Sequence, residues 1–341
     1  MIVNNNIFAK NDYLRTINFV IVEIRYYKCH VLMVVLLICL TAEVAGAQAV
    51  RVGLAWQPNP VANDRVIRSI ELAGGKAVLL PQVRAAGLDY DSVWLKSKYL
   101  DENGVLLPEW ALVVKRNTYC GAGLDTLLRD IDAVVFLGGG DIGSTLFREP
   151  QPWGGETCDA TRDVSEYLTM AYCLDHDIPV LGLCRGMQML AVVSGASLIQ
   201  DLDTYFESCG VDYEHMHRSL RDADGNRHYV PHDVVVTDHE SLLYSIALAD
   251  TIHDVPSWHH QAVGDVAGTP LKVSAVTLTH DVEVIEAIER TDKKFALGVQ
   301  YHPEEAVRQY IYEVPGANRF MPLCEGVNYF RKLIKIIEQT K

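Results

Sequence analysis

The chain has 341 residues, 49% hydrophobic and 22% charged, which is the composition of a globular protein with a full apolar core. This length accommodates one large α/β domain or two small ones. The formal net charge of −14, with no run of positive charges, argues against nucleic acid or an anionic membrane as a partner.

An apolar segment near the N-terminus resembles a secretory signal peptide. Residues 33–40 are apolar and are followed by a stretch that ends in Ala45-Gly46-Ala47, while Arg25 and Lys28 precede them. The segment is short for a membrane span, and its small-residue end is typical of a cleavage site. We therefore expect cleavage near Ala47 and export of the mature protein.

The extent of this leader leaves alternatives open. Residues 1–31 form an unusually long polar stretch, so either Met33 is the true start or the segment is a membrane anchor. We expect residues 1–47, with the signal-like segment 33–47, to be the leader of a periplasmic or secreted protein. Residence in the cytoplasm is the alternative. A single domain then spans residues 48–341, with no membrane contact after cleavage.

The domain begins with a βαβ pattern. Residues 50–56 predict a buried strand, residues 64–73 have helical spacing, and residues 76–80 predict a second strand. Strand, helix and strand at these lengths indicate a parallel sheet.

Residues 82–123 interrupt the alternation of strands and helices. They contain a hairpin-like turn at residues 101–104, between Trp94-Leu95 and Leu106-Leu107. We interpret this stretch as an insertion that serves either as a lid or as a dimer contact. A homodimer is therefore one of the expected states.

A third predicted strand, residues 131–137, runs into Gly138, Gly139 and Gly140. Glycines at the carboxyl end of a strand expose backbone N–H groups that can stabilise an oxyanion. They can equally bind a phosphate, although the Gly-Lys-Ser/Thr ending of a nucleotide loop is absent. A plain turn is the structural alternative.

The most informative stretch is residues 178–190, after a helix that Asp159 or Thr161 caps. A short apolar run is followed by Gly182-x-Cys184-x-Gly186 and then by apolar residues at helical spacing. This pattern predicts a strand, a tight turn and a helix, as in a nucleophile elbow with sulfur in place of oxygen. A helix N-terminus favours a thiolate, which is the nucleophilic form. A buried structural cysteine is the alternative.

The segment 295–305 can supply the partners that a thiolate nucleophile needs. An apolar strand ends at His302, Pro303 forces a turn, and Glu304 follows at i+2. From an extended segment this spacing lets both side chains point the same way, so that the carboxylate can orient the imidazole.

No metal site or cofactor is expected. The polar segment 201–231 contains His215 and His217 and the turn 222–225, but no Glu closes a calcium loop and no Cys/His quartet occurs. The remaining predicted elements are strands at 232–237, 271–278, 282–290 and 295–301 and a C-terminal helix at 326–337.

Taken together, these motifs resemble a known superfamily. The segments 182–188 (GLCRGMQ) and 300–304 (QYHPE) are similar to those of class I glutamine amidotransferase domains. Four shorter motifs resemble, more narrowly, the γ-glutamyl-γ-aminobutyrate hydrolase-like peptidases of that superfamily. They are Gly138-Gly139-Gly140-Asp141, Asp159-x-x-Arg162-Asp163, Cys184-Arg185-Gly186 and His259-His260-Gln261.

This resemblance covers residues 50–341 and implies both a fold and a set of site residues. The implied fold is α/β, with a mostly parallel central sheet between helices in a flavodoxin-like three-layer arrangement and a small antiparallel accessory sheet. The implied site residues are the nucleophile Cys184, the base His302, its orienting acid Glu304, the oxyanion-hole amides of Gly138 and Arg185, and the substrate-binding residues Gln188, His259, His260 and Gln261.

The implied reaction is hydrolysis of the γ-glutamyl amide bond of a small γ-glutamyl amine or peptide. It proceeds through a γ-glutamyl thioester and releases glutamate and an amine. Two alternatives use the same scaffold. One is a glutaminase subunit that delivers ammonia to a separate synthetase, although no synthetase-like segment occurs in the sequence. The other is a non-catalytic binding protein, against which the intact Cys-His-Glu set argues.

Overall fold

Among the residues that the structure describes, a mixed sheet of eleven strands forms the core of the fold. The predicted signal segment, residues 33–47, lies outside the described residues. Within the described part of the chain, no helix is long and apolar enough to cross a membrane. The computed structural model describes residues 49–59, 63–117, 119–213, 215–314 and 319–340.

The elements within these residues alternate early in the chain and are rich in strands later. The strands are β1 Arg51–Leu54, β2 Lys76–Leu79, β3 Tyr90–Asp91, β4 Trp94–Leu95, β5 Ala133–Phe136, β6 Val180–Leu183, β7 Leu198–Ile199, β8 Val230–Val236, β9 Thr251–Ser257, β10 Ala262–Val263, β11 Leu271–Thr279, β12 Val282–Arg290 and β13 Ala296–Val299. The helices are α1 Asn63–Leu72, α2 Pro108–Asn117, α3 Leu124–Leu127, α4 Ala160–Asp175, α5 Arg185–Val193, α6 Leu202–Ser208, α7 Leu242–Ala247, α8 Pro303–Ile311 and α9 Leu323–Thr340.

One half of the large sheet is parallel. Its strands lie in the order β2-β1-β5-β6-β13. Counted along the chain this order is 2-1-3-4-5, the doubly wound arrangement in which ligands bind at the carboxyl ends of the strands, where the order reverses. The reversal lies between β1 and β5, so we expect the site at the carboxyl ends of these two strands.

The strands of the parallel half are apolar because helices cover both faces of the sheet. Along β5, Val134 and Phe136 belong to the apolar cluster that includes α4 and α5, whereas Ala133 and Val135 belong to the cluster that includes α1 and α9. This is the expected three-layer arrangement of helix, sheet and helix.

The other half of the sheet is antiparallel. Strands β12, β11, β8 and β9 continue from β13, and β10 joins β12 to β7. A separate two-stranded antiparallel sheet consists of β3 and β4. The predicted fold class, a mostly parallel central sheet between helices with a small antiparallel accessory sheet, is thus confirmed.

In the stretch 82–123, the strands do not pair across the 101–104 turn as expected. Trp94–Leu95 pairs with Tyr90–Asp91 and not with the residues after the 101–104 turn. That turn is closed locally, by an antiparallel bridge between Leu100 and Leu106 and by Asp101 Oδ1, which accepts two backbone N–H groups. The stretch also contains α2, and Leu95 contacts α4, where Thr161 Oγ1 accepts the Leu95 N–H.

We expect Gly182→Ala to destabilise the protein, because a Cβ on residue 182 would lie 2.5 Å from the backbone of Gly186. Overpacking of this kind costs about 1–3 kcal/mol, measurable as a lower free energy of unfolding in urea. The matched control is Gly154→Ala, whose Cβ would meet nothing closer than 3.7 Å. Equal stabilities of the two variants would contradict the close approach of α5 to the sheet.

Candidate active site

Cys184 lies at the junction of strand β6 and helix α5, where the sequence places a sharp turn. Its backbone has φ 50° and ψ −105°, a region that non-glycine residues rarely adopt. The helix approaches the sheet so closely that a Cβ on residue 186 would collide with the carbonyl oxygen of Phe136. The two flanking glycines are therefore required by close packing, and Cys184 takes the strained conformation between them.

His302 lies beside this cysteine. It is the N-cap of helix α8, and its Nδ1 lies 2.7 Å from Oε1 of Glu304 in the first turn of that helix. A Cβ on Gly138 would lie 2.6 Å from His302 Cε1 and 3.6 Å from Cys184 Cβ, so this glycine occupies the narrow space between them. The structure thus brings together the three predicted residues Cys184, His302 and Glu304.

The surroundings of His302 favour its protonated form. Burial alone lowers the pKa of His302, but Tyr229, Glu304 and Cys184 outweigh this effect and raise the pKa well above its usual value. An imidazolium next to a sulfur is the arrangement expected of an activated cysteine.

Arg162 fixes the loop that contains Gly138. Its guanidinium donates hydrogen bonds to the carbonyl oxygens of Leu137 and Gly138, both at 3.0 Å, and to Glu166 at 2.7 Å. A Cβ on Gly139 would collide with the same guanidinium. The glycine run therefore accommodates Arg162, in addition to making a turn.

The side chain of Arg185 points away from the cavity into the protein. It is 1% exposed and forms ion pairs with Asp163 and Glu166. Burial lowers the pKa of Arg185 to about 10, which still leaves it charged at neutral pH. Its backbone N–H belongs to the first helical residue and has no carbonyl partner within the helix, so it is available at the predicted oxyanion site.

Gln300 is a neighbour of the sulfur that the sequence analysis did not select. Its Nε2 lies 3.5 Å from Cys184 Sγ, and its Oε1 accepts a hydrogen bond from Gln188 at 3.3 Å. Gln188 also donates to the carbonyl of Gln261 at 3.0 Å. The signal was present in the sequence, because Gln300 comes directly before Tyr301-His302 at the end of a buried strand.

The histidines 259 and 260 point in different directions. His260 lies between Asp141 at 3.0 Å and Asp201 at 3.2 Å. Burial alone lowers the pKa of His260, but these hydrogen bonds raise it above its usual value. His259 instead directs its Nδ1 to the carbonyl of Gln261 at 2.9 Å and its Nε2 towards Glu286, behind the cavity wall.

These residues surround a cavity of about 460 Å³ at the carboxyl ends of β1 and β5, where the strand order predicts a site. One wall contains the ion pair between Arg218 and Glu156, 2.9 Å apart. This pair places a guanidinium and a carboxylate side by side in the lining of the cavity. The site residues predicted from the sequence that line this cavity are Gly138, Cys184, Gln188, His259, His260, Gln261, His302 and Glu304.

Comparison with known proteins points to one family. The family model described as Peptidase C26 matches residues 112–304. Protein NtpR of Enterococcus hirae is 37% identical over 175 residues, which are 51% of this chain and 67% of NtpR. Rv2859c of Mycobacterium tuberculosis, whose name assigns it to the glutamine amidotransferases, is 31% identical over 240 residues, 68% of this chain and 70% of its own. The γ-glutamyl-γ-aminobutyrate hydrolase PuuD of Escherichia coli is 28% identical over 206 residues, 59% and 75% of the two chains.

We expect Glu304→Gln to lower the pKa of His302 towards its usual value, because the variant removes a negative charge that stabilises the imidazolium. The ring would then lose its proton at a lower pH, which a ¹H–¹⁵N NMR titration of the histidine side chains measures. Glu305→Gln is the matched control, since the Glu305 carboxylate pairs with Arg65 and Arg308. An unchanged His302 titration in the Glu304 variant would contradict this account.

Proposed function

Because the chain belongs to the Peptidase C26 family, we propose that it hydrolyses the γ-glutamyl amide bond of small γ-glutamyl amines or peptides. The observation that carries this proposal is the contact of His302 with Glu304 beside Cys184 in the lining of the cavity. The name of PuuD, a γ-glutamyl-γ-aminobutyrate hydrolase, supports the choice of bond.

In the first half of the proposed reaction, the Cys184 thiolate attacks the δ-carbonyl carbon of the glutamyl group and a C–S bond forms. The N–H groups of Gly138 and Arg185 stabilise the oxyanion. The imidazolium of His302 then donates its proton to the leaving nitrogen, the C–N bond breaks, and the amine departs. Glu304 holds the ring in position throughout.

In the second half, His302 is neutral and takes a proton from a water molecule. The resulting hydroxide attacks the thioester carbon, the C–S bond breaks, and glutamate leaves. The proton on His302 and the thiolate of Cys184 are thereby restored. Every proton is carried by this chain's own residues and by water, and no cofactor is needed.

Recognition of the glutamyl group is assigned to the part of the cavity wall that contains Glu156 and Arg218. A γ-glutamyl substrate carries an α-ammonium and an α-carboxylate, and Glu156 and Arg218 offer the complementary charges. Both side chains reach the cavity, and Arg218 is largely buried, which strengthens its interaction with an anion. The amine or peptide part of the substrate, on the other side of the amide bond, would occupy the open side of the cavity.

A glutaminase that supplies ammonia to a separate synthetase is the second candidate. The name of Rv2859c, at 31% identity, favours it. The two functions differ in what the purified chain does alone. Our proposal predicts turnover of γ-glutamyl amines without a partner, whereas a glutaminase subunit would release ammonia from glutamine and ignore larger amides.

We expect Cys184→Ala to reduce hydrolysis of a γ-glutamyl anilide by roughly 10⁴-fold or more, as loss of the nucleophile does in triad enzymes. Release of the aniline, followed by absorbance, measures the rate. Cys209→Ala is the control, because Cys209 is exposed and lies outside the cavity. Full activity of the Cys184 variant would end the proposal.

We expect Arg218→Ala to raise the KM of γ-glutamyl substrates by ~10–100-fold, the cost of losing a charge-assisted hydrogen bond, with a smaller effect on kcat. Steady-state kinetics with γ-glutamyl anilide separate the two constants. Arg221→Ala, three positions further along the same segment and exposed, is the control. A lower kcat at constant KM would contradict a role of Arg218 in binding the glutamyl group.

A further inference from the structure

A buried cluster of three histidines and one glutamate extends from His259 in the cavity wall into the protein. It consists of His217, His232, His259 and Glu286 and is called here the His₃Glu cluster. One ligating atom from each residue lies within 4.8 Å of those of the others. Their exposed fractions are 0%, 6%, 4% and 0%. Four polar groups with almost no access to water require partners that satisfy them.

The hydrogen bonds of two of the three imidazoles leave their Nε2 atoms without protons. His259 Nδ1 lies 2.9 Å from the carbonyl oxygen of Gln261, and His232 Nδ1 lies 3.1 Å from that of Asp233. A carbonyl oxygen only accepts, so both Nδ1 atoms are protonated, and in neutral imidazoles both Nε2 atoms are bare lone pairs. His217 places its Nδ1 3.1 Å from the hydroxyl of Tyr213.

The Nε2 atoms of all three histidines face the carboxylate of Glu286. The three Nε2 atoms lie 3.3, 3.8 and 3.7 Å from Glu286 Oε1 in the order His217, His232 and His259. None of the three nitrogens, nor either oxygen of Glu286, has a hydrogen bond within the described residues. The lone pairs of His232 and His259 thus face the oxygens of a buried carboxylate, an arrangement that is unfavourable until a cation lies between them.

We propose that the His₃Glu cluster binds a zinc ion. Imidazole nitrogens and a carboxylate suit Zn²⁺, and an Nδ1–H held by a backbone carbonyl is the usual support for an Nε2 ligand. Zinc bonds of about 2.0–2.1 Å in a tetrahedron require ligand separations of about 3.3–3.4 Å. The separation between His217 and Glu286 already has this value, and the other ligands close in when the ion binds. A bound zinc ion would differ from the expectation of no metal, which was drawn from sequence spacing.

The ion has a structural role, because four protein ligands leave no open position for water or substrate. It joins segments that are far apart in sequence: the stretch before β8, β8 itself, the turn after β9, and β12. The His217 carbonyl also accepts hydrogen bonds from the His259 N–H and the Ser257 hydroxyl. Arg218 follows His217 directly, so zinc holds the wall that contacts the glutamyl group.

The test measures zinc in the full-length protein, purified without a metal-affinity step, by mass spectrometry of the element. We expect about one zinc per chain. Removal by 1,10-phenanthroline should lower the Tm, and added Zn²⁺ alone should restore it. Protein that is folded without zinc, and whose Tm responds neither to the chelator nor to Zn²⁺, would overturn the proposal.

Two variants localise the ion. Glu286→Gln removes the anionic ligand but gives the imidazole lone pairs an N–H donor, so the variant should fold while its zinc falls to background. Glu289→Gln is the matched control, because Glu289 is a buried carboxylate of the same strand that accepts the Leu242 N–H. It should retain the zinc. Equal zinc contents of the Glu286 variant and the wild-type protein would assign the ion to another place and refute the proposal.

Discussion

The structure depends on the close approach of helix α5 to the parallel sheet. Gly182 and Gly186 allow the helix and the strand to approach until their backbones touch, and no side chain fits between them. This approach forces Cys184 into a strained backbone conformation, which costs about 1–3 kcal/mol. The buried residues Met187 and Leu190 of the same helix offset that cost through core packing. The strain presents the sulfur at the edge of the sheet.

A second layer of buried charges supports this elbow. Arg162 and Arg185 lie with Asp163 and Glu166 beneath it, two cations with two anions. Removing one member of such a set leaves an unpaired buried charge and typically costs 3–5 kcal/mol. Because Arg162 also holds the carbonyl of Gly138, the network fixes the glycine loop and the elbow relative to each other. The two backbone N–H groups assigned to the oxyanion are thus positioned together.

The sequence predicted those parts of the site that arise from local patterns. The elbow around Cys184 and the contact of His302 with Glu304 follow from strand and helix signals, although Glu304 lies in a helix where a turn was expected. The predicted pairing of Trp94–Leu95 across the 101–104 turn was wrong. This strand pairs with Tyr90–Asp91 instead, and Asp101 closes the turn locally. The fold class was confirmed, because alternating strands and helices restrict the topology strongly.

The contacts that form between residues far apart in the sequence could not be predicted. The residues of the His₃Glu cluster come from four segments with no regular spacing, so no motif marks them. The role of the glycine run as space for Arg162 depends on a side chain from another element. Such juxtapositions are set by sheet order and crossovers, which a single sequence encodes only through the whole fold.

The most direct test of the account is covalent labelling with an electrophilic glutamine analogue, located by peptide mass spectrometry. The arrangement of Cys184 with His302 and Glu304 predicts one adduct per chain, on Cys184, which a saturating γ-glutamyl substrate prevents. Labelling of an exposed cysteine such as Cys120, Cys209 or Cys324 while Cys184 stays unmodified would contradict it.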